Sequence, residues 1–123
     1  MKKTLFKSDR VLIDGELKPA TVVVKNGLVL SVQDRDYQLA GANLVDYDNL
    51  VLMPGLVDSH VHINEPGRTD WEGFDTATHA AAAGGITTVV DMPLNCIPVT
   101  ITESALQEKL AVVGDKLWID AAF

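Results

Sequence analysis

The strongest constraint on the fold is the order of elements written into the second half of the chain. Leu56-Val57, then Val61, form an apolar, strand-like run entered through Pro54-Gly55. A helical stretch follows, running through Ala80-Ala81-Ala82-Ala83 and closing at Gly84-Gly85, where glycine accepts the left-handed cap. Ile86 to Asp91 is a second apolar, β-branched strand of the kind buried in parallel sheets. Leu106, Leu110 and Val113 then recur at helical spacing before Gly114, and Lys116 to Phe123 read as a third strand. Thr69 with Glu72, and Thr100 with Glu103, have the spacing of capping boxes at the two helix starts. The order β-α-β-α-β with short connections calls for parallel strands and right-handed crossovers. Both an open sheet and a barrel satisfy it.

Residues 1–52 read differently. Arg10 to Ile13, Thr21 to Lys25, Leu28 to Val32, Leu44 to Tyr47 and Leu50 to Met53 are short strands with no helix between them. Asn26-Gly27 supplies two positive φ angles and predicts a tight hairpin, and Asp14-Gly15 is a further turn signal. The pattern predicts an antiparallel β module, domain 1–52, with one face needing cover, joined to an α/β segment over 53–123.

The chain has 123 residues and a formal net charge of -7, which argues against a nucleic-acid footprint. The single cysteine, Cys96, excludes an internal disulfide and fits a reducing compartment. Met1 to Phe6 resembles the start of a secretory leader, but Lys7, Ser8, Asp9 and Arg10 interrupt it. No apolar run approaches the ~20 residues of a membrane span. A cytoplasmic protein without membrane or nucleic-acid partners is expected.

The chemistry-bearing residues gather at the first α/β strand. Side chains alternate along a strand, so Asp58, His60 and His62 are expected on one face. Imidazole is a good ligand for zinc and other divalent metals, and two rings at i and i+2 late in a strand can grip one ion. Asp58, deeper on the strand, either orients a histidine through its second ring nitrogen or holds local backbone. Two histidines do not complete a catalytic site, which takes at least three protein ligands and an open position. His79 falls mid-helix and is assigned a structural or solvent role. Cys96 has no histidine near it in sequence and reads as a free thiol; Trp71 reads as packing at a helix start.

Proline-glycine followed by an aspartate two residues before H-x-H is a specific signature. From Asn49 to about Thr100 the chain resembles the cyclic amidohydrolases, the family of dihydroorotases, hydantoinases, dihydropyrimidinases and allantoinases. The resemblance implies that 53–123 are the first three βα units of a (β/α)8 TIM-type barrel, which needs roughly 250 residues. It implies that 1–52 are part of a small β-sandwich, and that the chain is the N-terminal portion of a longer protein. It further implies two zinc ions per complete site, bridged by a carboxylated lysine, with two more histidines and an aspartate base on later strands. The implied reaction is hydrolysis of a small-molecule cyclic amide by a homo-oligomeric enzyme, with the 123-residue segment alone inactive.

Two positions discriminate within the family. Dihydroorotases resemble H-x-H-x-R, whose arginine grips a substrate carboxylate; here that residue is Asn64, and Arg68 lies four further on. Glu65-Pro66-Gly67-Arg68, Trp71-Glu72-Gly73-Phe74 and Met92-Pro93-Leu94-Asn95 with Pro98 resemble the allantoinase branch, whose substrate is a neutral ureide. Asn64 and Asn95 are therefore the candidate substrate contacts, with a turn role the alternative for Asn95. Another ring-opening member of the family, or a non-catalytic scaffold relative, are the competing readings.

Overall fold

A computed structural model describes residues 2–123; Met1 lies outside the described residues. The chain divides into two compact units, Met1–Pro54 and Gly55–Phe123.

The first unit is a β sheet of β1 (Thr4–Ile13), β2 (Glu16–Lys25), β3 (Leu28–Gln33), β4 (Asn43–Asp46) and β5 (Val51–Leu52) in the order β3-β2-β1-β4, with β5 also on β1. Both hairpins turn on paired positive φ angles, 51° and 82° at Asp14-Gly15 and 53° and 78° at Asn26-Gly27, as type I′ turns require. The sheet is not wholly antiparallel as expected. β4 and β5 both add parallel to β1, with Thr4 opposite Asn43 and Arg10 opposite Val51.

β1 and β2 also begin six and five residues earlier than the sequence suggests. The polar run from Lys7 to Arg10 lies within β1, and Lys7 and Ser8 are buried. The Ser8 hydroxyl donates to the Leu50 carbonyl at 2.5 Å and Asp9 N–H to Asp48 O at 2.8 Å, so the chain between β4 and β5 satisfies this stretch. Opposite it stands Pro19, which has no N–H for the ladder. The register slips there, from Ser8–Ala20 to Val11–Lys18. Leu5, Val11, Ala20 and Val23 are buried, while Phe6, Val22, Val29, Val32 and Leu52 line an apolar concavity.

The second unit has β6 (Leu56–Val61), α1 (Phe74–Ala83), β7 (Ile86–Asp91), α2 (Glu103–Val113) and β8 (Asp120–Ala122), all three strands parallel in the order β6-β7-β8. Ile63, Phe74 and Val113 form its core, with Val61, Ala77 and Leu117 against them. Gly85 holds the left-handed position after α1 at φ 82°.

Several local expectations are corrected. Neither capping box forms. α1 starts at Phe74 behind Gly73, which has no side chain to cap it, and Glu72 instead accepts from the Thr76 hydroxyl. α2 starts behind Thr102, whose hydroxyl accepts Ala105 N–H at 3.2 Å. The buried stripe of α2 is Ala105, Lys109 and Val113 rather than Leu106, Leu110 and Val113; Leu110 is exposed. β8 is three residues long, since Lys116 and Trp118 are drawn to Glu65 and Thr78 instead of the ladder. β6 is not buried: Leu56 and Val57 are exposed. Among the described residues no helix is long and apolar enough to cross a membrane.

Candidate metal centre

β6 carries one extra residue before its end. Asp58 pairs with Val89, but Val61 pairs with Asp91, so two β6 residues stand where β7 has one. Such a bulge kinks the strand and re-aims its side chains. The single-face expectation therefore fails for Asp58. It lines, with Val61, Ile63 and Ala77, the cavity beneath α1. Its carboxylate accepts the main-chain N–H of His60 at 3.2 Å.

His60 and His62 do converge. Their Nε2 atoms are 3.2 Å apart and the rings meet edge-on, centroids 5.1 Å apart at 65°. The spacing itself tests whether a metal fits. Two imidazole nitrogens each ~2.05 Å from one tetrahedral ion stand roughly 3.3 Å apart. The observed separation is close to that distance, and both rings are exposed. Among the described residues no group of three or more His, Cys, Asp or Glu side chains converges.

The chain leaving this pair is tightly held. Val61 O accepts Met92 N–H at 2.8 Å, and Ile63 N–H donates to Asp91 Oδ1 at 2.8 Å. Asp91 Oδ2 pairs with Lys109 Nζ at 2.5 Å, with both side chains at most 1% exposed. Glu65 is buried; one carboxylate oxygen accepts Phe74 N–H at 2.9 Å and the other pairs with Lys116. Sequence reasoning missed all four of these residues. Asp91 looked like a strand terminus, and a lysine between Glu108 and Leu110 on a helix carries no signal of burial.

Asn64 is 8% exposed. Its main chain is bound on both sides, N–H to Glu72 O and carbonyl from Arg68 N–H, each 3.0 Å. Its side-chain Oδ1 is buried with no hydrogen-bond partner, an arrangement native proteins seldom leave unfilled. Asn95 is exposed at φ 73°, and its carbonyl accepts from the Arg68 guanidinium at 3.3 Å. Ile97 N–H to Pro66 O at 2.8 Å joins the same two loops. Arg68 lies 5.0 Å above the exposed ring of Trp71, so Trp71 supports an arginine rather than the helix start. His79 rests against Trp118, 4.8 Å between centroids. Cys96 is buried, its sulfur 3.3 Å from the Thr100 hydroxyl.

Comparison with known proteins extends these observations. A probable allantoinase of Oryza sativa subsp. japonica is 52% identical over 94% of this chain and 23% of its own length. The allantoinase of Streptomyces avermitilis is 52% identical over 97% of the chain and 27% of its own length. Among solved structures, an L-hydantoinase (dihydropyrimidinase) from Arthrobacter aurescens superposes with a TM-score of 0.86 at 30% identity, over 99% of this chain and 27% of that one. The chain spans about a quarter of the length of these curated relatives, 23% and 27%. The family model of the amidohydrolase family matches residues 51–121. That match takes in the histidine strand, both helices and β7, more than half of the 123 residues, and the chain belongs to the amidohydrolase family.

Proposed function

We propose that this chain is the N-terminal part of a longer metal-dependent hydrolase that opens the hydantoin ring of allantoin to give allantoate. The carrying observation is the convergence of His60 and His62 Nε2 atoms at 3.2 Å in a chain 52% identical to allantoinases over 94% and 97% of its length. β6, β7 and β8 are then the first strands of a (β/α)8 barrel, which gathers function at strand C-terminal ends. His60 and His62 flank the end of β6, and loops 64–68 and 92–98 follow the ends of β6 and β7. Residues 1–52 contribute to a small β-sandwich, and the complete enzyme is a cytoplasmic homo-oligomer.

His60 and His62 are two metal ligands; the bridging lysine, remaining ligands and general base lie beyond this segment. Zinc, two ions per site, suits the imidazole donors. When bound, the metal supplies Lewis acidity and a nucleophile at neutral pH. The chain's own residues bind and orient. The unpartnered Asn64 Oδ1 accepts a ureide N–H, and the Asn95 amide offers a donor and an acceptor from the facing loop. Neither carries charge, which suits a neutral ring. One water is consumed: a C–O bond forms at the ring carbonyl, the ring C–N bond breaks, and the nitrogen leaves with a proton. Asp58 holds the main chain at His60 through its 3.2 Å bond and so fixes that ring's origin.

A second reading, a hydantoinase, draws on the TM-score of 0.86 to the Arthrobacter enzyme. A ring-opening assay on the complete enzyme separates the two. Allantoin, hydantoin, dihydrouracil and dihydroorotate are offered side by side, before and after chelation and metal return. Turnover of allantoin that disappears with the metal and returns with it supports the proposal. Turnover of hydantoin or dihydrouracil in its place selects the second reading, and no metal-dependent turnover of any ring sinks both.

A further inference from the structure

The buried Asp91–Lys109 pair has no evident reason to be ionic. A buried ion pair is often no more stable than an apolar pair of the same volume, because desolvation of two charges offsets their attraction. The site is not starved of apolar company either: Lys109 Nζ lies 5.8 and 5.7 Å from the Phe74 and Phe123 ring centroids. What the pair does have is a second function. Lys109 occupies Asp91 Oδ2, and this leaves Oδ1 aimed at Ile63 N–H, 2.8 Å away. Ile63 lies beyond the end of β6 at Val61, where the ladder offers its N–H no carbonyl. The carboxylate replaces that carbonyl. His62 is thereby bracketed, with Val61 O held by Met92 N–H on one side and Ile63 N–H held by Asp91 on the other.

We infer that Asp91, locked by Lys109, is a positioning residue for the histidine pair: it fixes the backbone at His62 and so sets the Nε2 separation that receives the metal. The inference rests on the reading of His60 and His62 as ligands. Groups that orient a ligand without touching the metal typically change metal affinity about tenfold to a hundredfold. The acceptor at Ile63, not the charge, is the operative feature.

Two double variants of the complete enzyme separate acceptor from charge. Asp91→Asn with Lys109→Met removes both charges and keeps an acceptor for Ile63. Asp91→Leu with Lys109→Met removes the acceptor too. Each metal-stripped protein is titrated with Co(II) against a chromophoric chelator, its visible bands are recorded, and folding is checked by far-ultraviolet circular dichroism. The asparagine variant is expected to bind within about threefold of the unsubstituted enzyme, with the same spectrum. The leucine variant is expected to bind at least about tenfold more weakly, with altered bands. Equal affinity in both variants overturns the inference, as does an equal loss in both. Failure of the unsubstituted enzyme to take up Co(II) at all overturns the ligand reading and this inference with it. A further measurement needs no variant. By reciprocal coupling, Zn(II) must slow amide hydrogen exchange at Ile63; unchanged exchange there also overturns the inference.

Discussion

α1 begins without a cap of its own, and that makes Glu65 the residue to perturb. Gly73 precedes the helix, and a Cβ there would lie 3.1 Å from Glu65 Oε2. Glu65 enters that space from the preceding loop and accepts Phe74 N–H at 2.9 Å. A hydrogen bond to a charged group contributes about 1.5–3 kcal/mol. A carboxylate at a helix N-terminus adds about 0.3–1 kcal/mol. The ion pair with Lys116 is worth less, about 0–1 kcal/mol, because the Lys116 side chain is 40% exposed. Glu65→Gln keeps a neutral acceptor and is expected to cost about 1–2 kcal/mol. Glu65→Ala strands the N–H of a fully buried Phe74 and is expected to cost about 3–4 kcal/mol. Lys116→Met leaves the carboxylate its helix partner and should cost under about 1 kcal/mol. Urea midpoints of the complete protein read these differences. The Trp118 indole N–H bonds Asp75 in the first turn of α1 at 2.8 Å, so its fluorescence follows this region. At a slope of about 1–3 kcal/mol per molar, the alanine variant moves the midpoint by roughly 1–4 M at unchanged slope. If Lys116→Met moves it as far as Glu65→Ala does, the ion pair and not the cap holds the helix start, and the reasoning fails.

Three further outcomes follow from the same geometry. Phe74→Ala empties the centre of the Ile63, Phe74 and Val113 core and is expected to cost about 3–5 kcal/mol, read as a lowered thermal midpoint. Gly67→Ala meets both obstacles at once: φ is 88°, and the new Cβ would lie 2.6 Å from Ile97 Cβ and 2.8 Å from its carbonyl oxygen. It should part the two loops joined through Ile97 and Pro66, which limited proteolysis at 64–68 and 92–98 would detect as faster cleavage. The Asp46 carboxyl is held below its ordinary range, first by the Asp48 main-chain N–H at 3.0 Å and then by Arg35 at 2.8 Å. A depressed folded-state pKa gives stability that is present above the unfolded value near 3.9 and is lost as pH falls through the folded one. Asp46→Asn should therefore lower the thermal midpoint at neutral pH, where that stability is present, and converge with the unsubstituted protein as pH falls below the unfolded value near 3.9, which flattens the acid limb; an unchanged neutral midpoint and acid limb would refute the assignment.

What the sequence disclosed and what it hid divide along the range of the interactions involved. Asn26-Gly27 carries its own turn chemistry, and the β-α-β-α-β order is carried by periodicity, so both were legible. The parallel addition of β4 and β5 to β1 depends on Ser8 meeting Leu50 across 42 positions. The capping of α1 depends on Glu65, nine residues upstream of the bond it accepts. No local pattern encodes either. Lys109 is the sharpest case, since its burial follows only from Asp91, eighteen residues away.

The histidine strand shows where period-two reasoning holds and where it breaks. Counting by twos put Asp58, His60 and His62 on one face, which is valid only for an uninterrupted ladder. The extra residue lies between Asp58 and Val61, so the strand on its N-terminal side is out of phase with the strand on its C-terminal side. Asp58 falls on the far side of that shift and joins Val61 and Ile63 beneath α1. His60 sits at the bulge itself, where the ladder no longer dictates its direction and the Asp58 carboxylate takes hold of its N–H. The bulge thus does what a regular strand could not. It separates Asp58 from the face that His60 and His62 share, and it turns a residue that would have been a third polar group on that face into the support for the strand that carries both.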